Sequence, residues 1–332
     1  MAVVATGFFD GVHLGHRQVI RTLVSSARER GEEAIVVTFA PHPRAVLQQD
    51  AHSLRLLNSP QEKEAMLREL GVDRVETLRF DRAFARLSAA DYLRSVLIGR
   101  FGATLLVLGF DNRLGSDRLT PDAIAPLAES LGLEVIVVPP ASTGGAEAAA
   151  ASGNRSHPRL RKREGPADEV SGRGPAQQDV SGGWLPRSDN KVVVVSSTKI
   201  RKALKEGRVE EAEAMLGYAY GLRGVVVSGK QLGRTIGFPT ANLRLYDPLK
   251  LIPARGVYLT EVEVLGGHYW GMTNVGDIIE THIFDFDEDI YGLDLEIRFR
   301  RWLRPMRSFA TLDALKAQLA ADESACRDIL AL

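Results

Sequence analysis

Residues 2–6, 34–39, 72–78, 104–109 and 134–138 are short apolar runs rich in β-branched side chains. Between them, residues 14–30, 60–70, 88–100 and 121–131 repeat apolar positions at helical spacing. Runs of the first kind suit strands buried on both faces. Their alternation with helices points to a parallel sheet covered by helices on both sides, here a Rossmann-like α/β domain. Ser59-Pro60 and Thr120-Pro121 each read as an N-cap followed by proline at the first helical position.

After Tyr220 the pattern becomes all-β. Residues 224–228, 256–264, 268–275, 281–284 and 293–302 read as strands separated by glycine-rich or acidic turns, and residues 312–330 as a final helix. A small antiparallel β-barrel with a C-terminal helix is expected. A chain of 332 residues is too long for one ordinary core, so two domains are expected, residues 1–217 and 218–332. A strand at 191–195 and helices at 198–206 and 209–216 would complete the first domain. Residues 141–191 fit neither pattern. They hold an alanine run, repeated Ser-Gly and Pro elements and the cluster Arg159-Leu160-Arg161-Lys162-Arg163, and little besides Leu160, Trp184 and Leu185 could enter a core. A segment that buries so little cannot offset its ordering entropy, so a disordered insertion is expected. Its basic cluster reads as solvated linker, with a grip on an anion or nucleic acid as the alternative.

Composition narrows the functional classes. Lys+Arg and Asp+Glu both number 42, which gives no support to bulk electrostatic binding of nucleic acid or an anionic membrane. The single cysteine, Cys326, leaves no disulfide framework or multi-cysteine zinc site. No basic leader opens the chain, and no apolar run approaches the ~18 residues of a membrane span. A cytoplasmic location is the expectation.

The loop between the first strand and first helix reads Thr6-Gly7-Phe8-Phe9-Asp10-Gly11-Val12-His13-Leu14-Gly15-His16. In an open parallel sheet, ligands bind beyond the carboxyl ends of the strands, where this loop lies. Gly7 and Gly11 let backbone approach phosphate, and a helix amino terminus offers unpaired N–H groups to anions. His13 and His16, three apart, can donate to phosphoryl oxygens as charge develops in a displacement at phosphorus. The plainer alternative is that both imidazoles only cap and pack.

This run resembles the HxGH signature of the nucleotidylyltransferases, and at full length it is similar to that of bacterial bifunctional riboflavin kinase/FAD synthetases. Three further segments match that family in order: Thr38–Pro43, Gly109-Phe110-Asp111-Asn112-Arg113-Leu114-Gly115, and Ser196-Ser197-Thr198-Lys199-Ile200-Arg201. The resemblance implies FMN adenylylation, with His13 and His16 at the transferring phosphate. It places the nucleotide against Gly7, Phe9, Asp10, Gly11, Gly15, Gly109, Asp111, Arg113, Ser197, Thr198 and Arg201. No Walker-type phosphate loop occurs.

A second run, Gly233-Arg234-Thr235-Ile236-Gly237-Phe238-Pro239-Thr240-Ala241-Asn242, pairs glycines that bring backbone near phosphate with the hydroxyl of Thr240 and the amide of Asn242. Those two are hard oxygen ligands suited to Mg²⁺. The run resembles the flavokinase signature, which implies nucleotide contacts at Gly233, Arg234, Gly237, Phe238 and Pro239 and the metal at Thr240 and Asn242. By the same resemblance Glu280 is the general base that takes the proton of the riboflavin 5′-hydroxyl. His282, two residues on, reads as packing or bonding locally, and Asp285, Asp287 and Asp289 as an acidic turn. Where this family carries a longer loop, only Asp277-Ile278-Ile279 separates Gly276 from Glu280.

The implied activity is phosphorylation of riboflavin to FMN and adenylylation of FMN to FAD, with ATP, Mg²⁺, riboflavin and FMN as the small-molecule partners. Membrane and nucleic-acid partners are not expected, and a homo-oligomer is left open. Two alternatives stand beside it. One is adenylyl transfer alone, with the barrel impaired by its short loop. The other is a flavin-sensing or RNA-binding relative, with the Arg159–Arg163 cluster as its only support.

Overall fold

The computed structural model describes residues 1–47, 54–142, 194–229 and 232–331. The amino-terminal sheet contains β1 (Ala2–Thr6), β2 (Glu33–Ala40), β3 (Arg74–Arg79), β4 (Ala103–Gly109) and β5 (Glu134–Val138). Every pairing is parallel and the order is β3-β2-β1-β4-β5. The central strands are buried on both faces as expected, with Val3, Val4, Val36, Val37, Leu106 and Val107 fully enclosed. The edge strands are not: β3 and β5 carry several exposed or half-buried positions, among them Ile136 and Val137. An edge strand has a neighbour on one side only, and its apolar residues lose cover accordingly.

The helices α1 (Leu14–Arg30), α2 (Pro43–Leu47), α3 (Pro60–Glu69) and α5 (Pro121–Ser130) are α-helical, with α4 spanning residues 89–101 between α3 and α5. Ser59 caps α3 in a full capping box with Glu62, whereas the Thr120 side chain makes no capping hydrogen bond to α5. The expected continuous α-helix at 88–100 is interrupted by a π-helical stretch, Tyr92–Ile98. It keeps Tyr92, Leu93 and Leu97 on the core side and brings the Tyr92 hydroxyl 2.7 Å from Thr6 Oγ1 at the end of β1.

Most of the expected insertion and most of the strand at 191–195 lie outside the described residues. What is described is the two ends: Ser142 and Val194 form an antiparallel bridge, and Val195 N donates to Ala141 O at 3.1 Å. Helices α6 (Ser197–Lys205) and α7 (Val209–Leu216) follow.

The second sheet closes on itself. Strands β6 (Gly221–Val227), β7 (Ala241–Leu245), β8 (Gly256–Val264), β9 (Gly267–Val275), β10 (Ile279–Ile283) and β11 (Asp294–Arg304) form an antiparallel barrel in the order β10-β7-β6-β11-β8-β9. Strand β7 was not expected; its Ala241–Asn242 start is the end of the glycine-rich run. Helix α8 (Leu312–Leu330) packs outside. Tyr258, Phe299, Leu295 and Ile297 fill the barrel, together with a buried hydroxyl chain in which Thr260 and Thr273 lie 2.8 Å apart and Thr273 and Thr281 2.9 Å apart. The apolar faces of α6 and α7 share one continuous core with this interior, through Ile200, Leu204, Met215 and Leu216.

Candidate functional site

The sheet order reverses between β1 and β4, and their loops part there to open a cleft. The chain leaving β1 is strained: Phe9 has φ 52°, Val12 φ 34° and Gly11 φ 88°. A β-branched residue at positive φ is costly, about 1–3 kcal/mol, and persists only where packing over-determines it; Val12 is fully buried. At Gly11 a Cβ would lie 2.7 Å from Leu57 Cδ1, and φ of 88° is a conformation that side chains rarely adopt, so the position favours glycine.

Asp10 fastens this loop. Its carboxylate accepts from Leu57 N at 2.9 Å and Asn58 N at 3.3 Å and pairs with Arg201 on α6. Burial raises the Asp10 pKa, opposed by Arg201 and by the two amides. Ser197 Oγ donates to Asp10 O at 2.8 Å, so the amino end of α6 is tied to the same loop.

His13 is the N-cap of α1, and its Nδ1 accepts from His16 N at 3.3 Å. That acceptor role leaves the ring proton on Nε2. The two imidazoles stack with centroids 3.6 Å apart. Burial lowers the His13 pKa to about 4, with a lesser push from Arg201. His16 is held well below its ordinary value by burial, then by His13 and Lys63. Both rings are therefore neutral at neutral pH. His16 Nδ1 is buried with no protein partner.

A cavity of about 320 Å³ opens over this pair, lined by the β1 and β4 loops and the start of α6. Gly7, Phe9, Asp10, His13, Gly15, His16, Gly109, Asp111, Ser197, Thr198 and Arg201 all line it. Gly11 and Arg113 do not. Gly11 lies behind the wall under Leu57, and Arg113 is exposed and turns back to Asn112 O at 2.9 Å.

In the barrel, one row of residues runs across five strands. Asn242 pairs with Glu280, Glu280 with Asn274, Asn274 with Val257, and Val257 with Arg304. Direct antiparallel partners share a face, so all five side chains lie on the outer face of the barrel. Glu280, Asn274, Val257 and Arg304 line a cavity of about 340 Å³ whose other walls include Phe238, Met272, Met306, Phe309 and Leu319. Asn274 Nδ2 reaches Glu280 Oε2 at 3.5 Å. Arg304 forks onto buried Asp322 at 2.6–3.0 Å and ties this wall to α8.

A third cavity, about 240 Å³, lies beside Pro239, Thr240, Ala241 and the acidic turn 286–291. Thr240 lines both barrel cavities. Asn242 is buried, and its Oδ1 has no protein partner. Thr240 and Asn242 thus offer two hard oxygens, one where the cavities meet and one orphaned, a donor set that fits Mg²⁺. Gly233 is pressed against the turn: a Cβ there would meet Phe238 O at 2.2 Å. Gly233 lines the larger barrel cavity with Phe238, while Gly237 lines neither, and nothing is described of the Arg234 side chain. His282 Nδ1 lies 2.8 Å from Pro239 O, and the residue lines the larger barrel cavity. Asp285 pairs with Arg327, and Asp289 accepts from Tyr291 N at 3.1 Å.

Comparison with known proteins now bears on these two sites. Residues 1–151 match the family model described as FAD synthetase, and residues 216–330 that described as riboflavin kinase. The chain is 32% identical to a bifunctional riboflavin kinase/FMN adenylyltransferase of Listeria monocytogenes, covering 99% of this chain and 92% of the relative. The Escherichia coli K12 protein of that name is also 32% identical, over 99% of this chain and 93% of its own. The chain belongs to the bifunctional riboflavin kinase/FMN adenylyltransferase family. A crystal structure described as a macrolide-efflux protein from Streptococcus pneumoniae has the same fold, with TM-score 0.78 and 32% identity over 98% of this chain and 93% of that one. Among the described residues no helix is long and apolar enough to cross a membrane.

For this bifunctional family member, the kinase and adenylyltransferase activities of FAD biosynthesis divide between two halves with separate cavities. Sequence reasoning left Phe8, His42 and Asn112 out of the first site, though all three line its cavity. His42 and Asn112 stood inside matched segments, and Asn112 Nδ2 donates to Thr6 O at 2.9 Å. Asn274 and Arg304 were also missed. Their signal is strand register with Glu280, and register needs the pairing partners.

Proposed function

We propose that residues 218–332 phosphorylate riboflavin at its 5′-hydroxyl and residues 1–217 adenylylate FMN to FAD with release of pyrophosphate, both using ATP in the cytoplasm. The observation that carries this reading is the separation of two cavities, one lined by His13 and His16 and the other by Glu280 and Thr240. In the first, ATP lies over the neutral imidazoles, with Gly7, Phe9, Gly15, Gly109 and Asp111 along the cleft and Ser197, Thr198 and Arg201 at its end. The proton on His13 Nε2 and the orphaned His16 ring donate to the α-phosphate as its oxygens gain charge, and neutral donors already in place need little reorganisation. Asp10 acts through the loop it holds.

In the barrel, riboflavin occupies the apolar cavity under α8, where its 5′-hydroxyl meets the Glu280 carboxylate. The nucleotide lies on the Thr240 side, cradled by the 233–239 turn. Bound at Thr240 and Asn242, Mg²⁺ would neutralise charge on the phosphates. Glu280 accepts the hydroxyl proton late, since a loose phosphoryl transition state asks mainly for positioning.

A second reading, adenylyl transfer alone, draws on the hairpin before Glu280. β9 and β10 are joined by Gly276-Asp277-Ile278, closed by Gly276 N donating to Ile278 O at 3.1 Å, and this leaves little chain to cover the flavin. Incubation with riboflavin, ATP and Mg²⁺ and separation of products decides between them. FMN plus FAD supports the bifunctional reading, FAD only from supplied FMN the second, and neither product refutes both. Omission of Mg²⁺ tests the metal.

A further inference from the structure

Lys63 lies on the buried face of α3, four residues before fully enclosed Leu67, and is itself only 7% exposed. A leucine or methionine is the ordinary occupant of such a position, because burying an ammonium costs desolvation. Among the described residues it forms no ion pair. Its Nζ donates instead to Phe8 O at 3.1 Å and Thr38 Oγ1 at 2.9 Å, and lies 4.4 Å from the centre of the Phe8 ring. Phe8 and Phe9 line the cavity over the histidines, and Lys63 stands behind them.

We propose that Lys63 is a positioning residue for adenylyl transfer, holding the Gly7–Phe9 turn in its anion-binding orientation and placing a positive charge behind the cavity wall. The proposal rests on the assignment of that site above. Its geometric basis is the peptide plane. The Phe8 carbonyl and the Phe9 N–H belong to one planar trans unit and point in opposite directions. Drawing the carbonyl back onto Lys63 turns the Phe9 N–H away from the lysine, and the described residues offer that N–H no acceptor. With Phe9 at φ 52°, that N–H is a free backbone donor suited to phosphate. Burial lowers the Lys63 pKa to about 8, opposed by Asp10, so the cation persists at neutral pH. The titratable groups acting on His16 are His13 of its own helix and Lys63 of α3, both lowering its pKa.

Lys63→Met in the full chain keeps the volume and removes both donors and charge. The expected result is a fall in kcat for FAD formation of roughly ten- to a hundredfold, larger than any change in the KM for ATP. Riboflavin phosphorylation by the same preparation should stay within about twofold, and the His16 ring protons should titrate at higher pH by NMR. Lys63→Gln restores a donor to Phe8 without charge, so it should recover part of the rate while leaving His16 shifted. If K63M does not fold, K63Q decides by the same two readouts. Unchanged FAD formation and His16 titration in a folded variant overturn the proposal. A wild-type chain that makes no FAD from supplied FMN overturns the site assignment instead, and the His16 titration still reads the charge of Lys63 independently.

Discussion

At the scale of single residues, His13 and His16, the proposed donors to the transferring phosphate, also carry an electrostatic signature. Replacing both by alanine should abolish FAD formation and leave FMN formation intact, as product separation would show; equal loss of both activities in a folded variant would break the separation of sites. Their low pKa values also link to stability. His13 titrates at about 4 in the folded chain against 6.5 ordinarily. Between those values the unfolded chain binds a proton that the native ring does not, so stability falls as pH drops from 6.5 toward 4. A shift of this size is worth on the order of 3 kcal/mol, and His16 adds in the same direction. Urea midpoints across this window should drop less steeply for His13→Asn/His16→Asn than for wild type, and buried Asp10, whose raised pKa works in the opposite sense, is common to both proteins.

Among the elements, the barrel strands show how little of a site a linear pattern can reveal. The alternation along β9 and β10 separates inward Thr273 and Thr281 from outward Asn274 and Glu280. It does not say which residue of β7 faces Glu280. The inward threonines form a chain whose middle member is Thr273. Thr273→Val keeps the shape but leaves Thr281 without its partner, while Thr260 retains Gly271 O at 3.2 Å. A loss of about 1–3 kcal/mol is expected, read as a lower melting temperature. A neutral result would mean that the hydroxyls are satisfied in another way. The π-helical stretch in α4 belongs to this scale too: periodicity predicted a continuous α-helix, and the widened turn reflects packing of Tyr92 against Thr6.

For the whole molecule, the ends of the long segment between β5 and α6 are what structure adds to sequence. Ser142 and Val194 are bridge partners, so the chain can be joined across them without moving either site. Excising residues 144–192 with a Gly-Gly closure should leave both activities and the melting temperature nearly unchanged; a large fall in either would show that the segment contributes to the enzyme. The loop of residues 54–58 ties the halves together: Leu56 exchanges backbone hydrogen bonds with Leu249 and Leu251, and the amides of Leu57 and Asn58 hold Asp10. The sequence by itself determined the alternation that makes a parallel sheet, the all-β barrel, and both glycine-rich loops with His13, His16 and Thr240, because local period and residue chemistry are written along the chain; Glu280 was singled out only by the family resemblance. Tertiary structure alone decided that the Asp10 carboxylate, at the cavity wall, braces the loop through Leu57, Asn58 and Arg201, that Asn274 and Arg304 stand in line with Glu280, and that a lysine in an amphipathic helix lies beneath the first site. Those facts depend on strand register and on contacts between residues far apart in the chain, which local period does not encode.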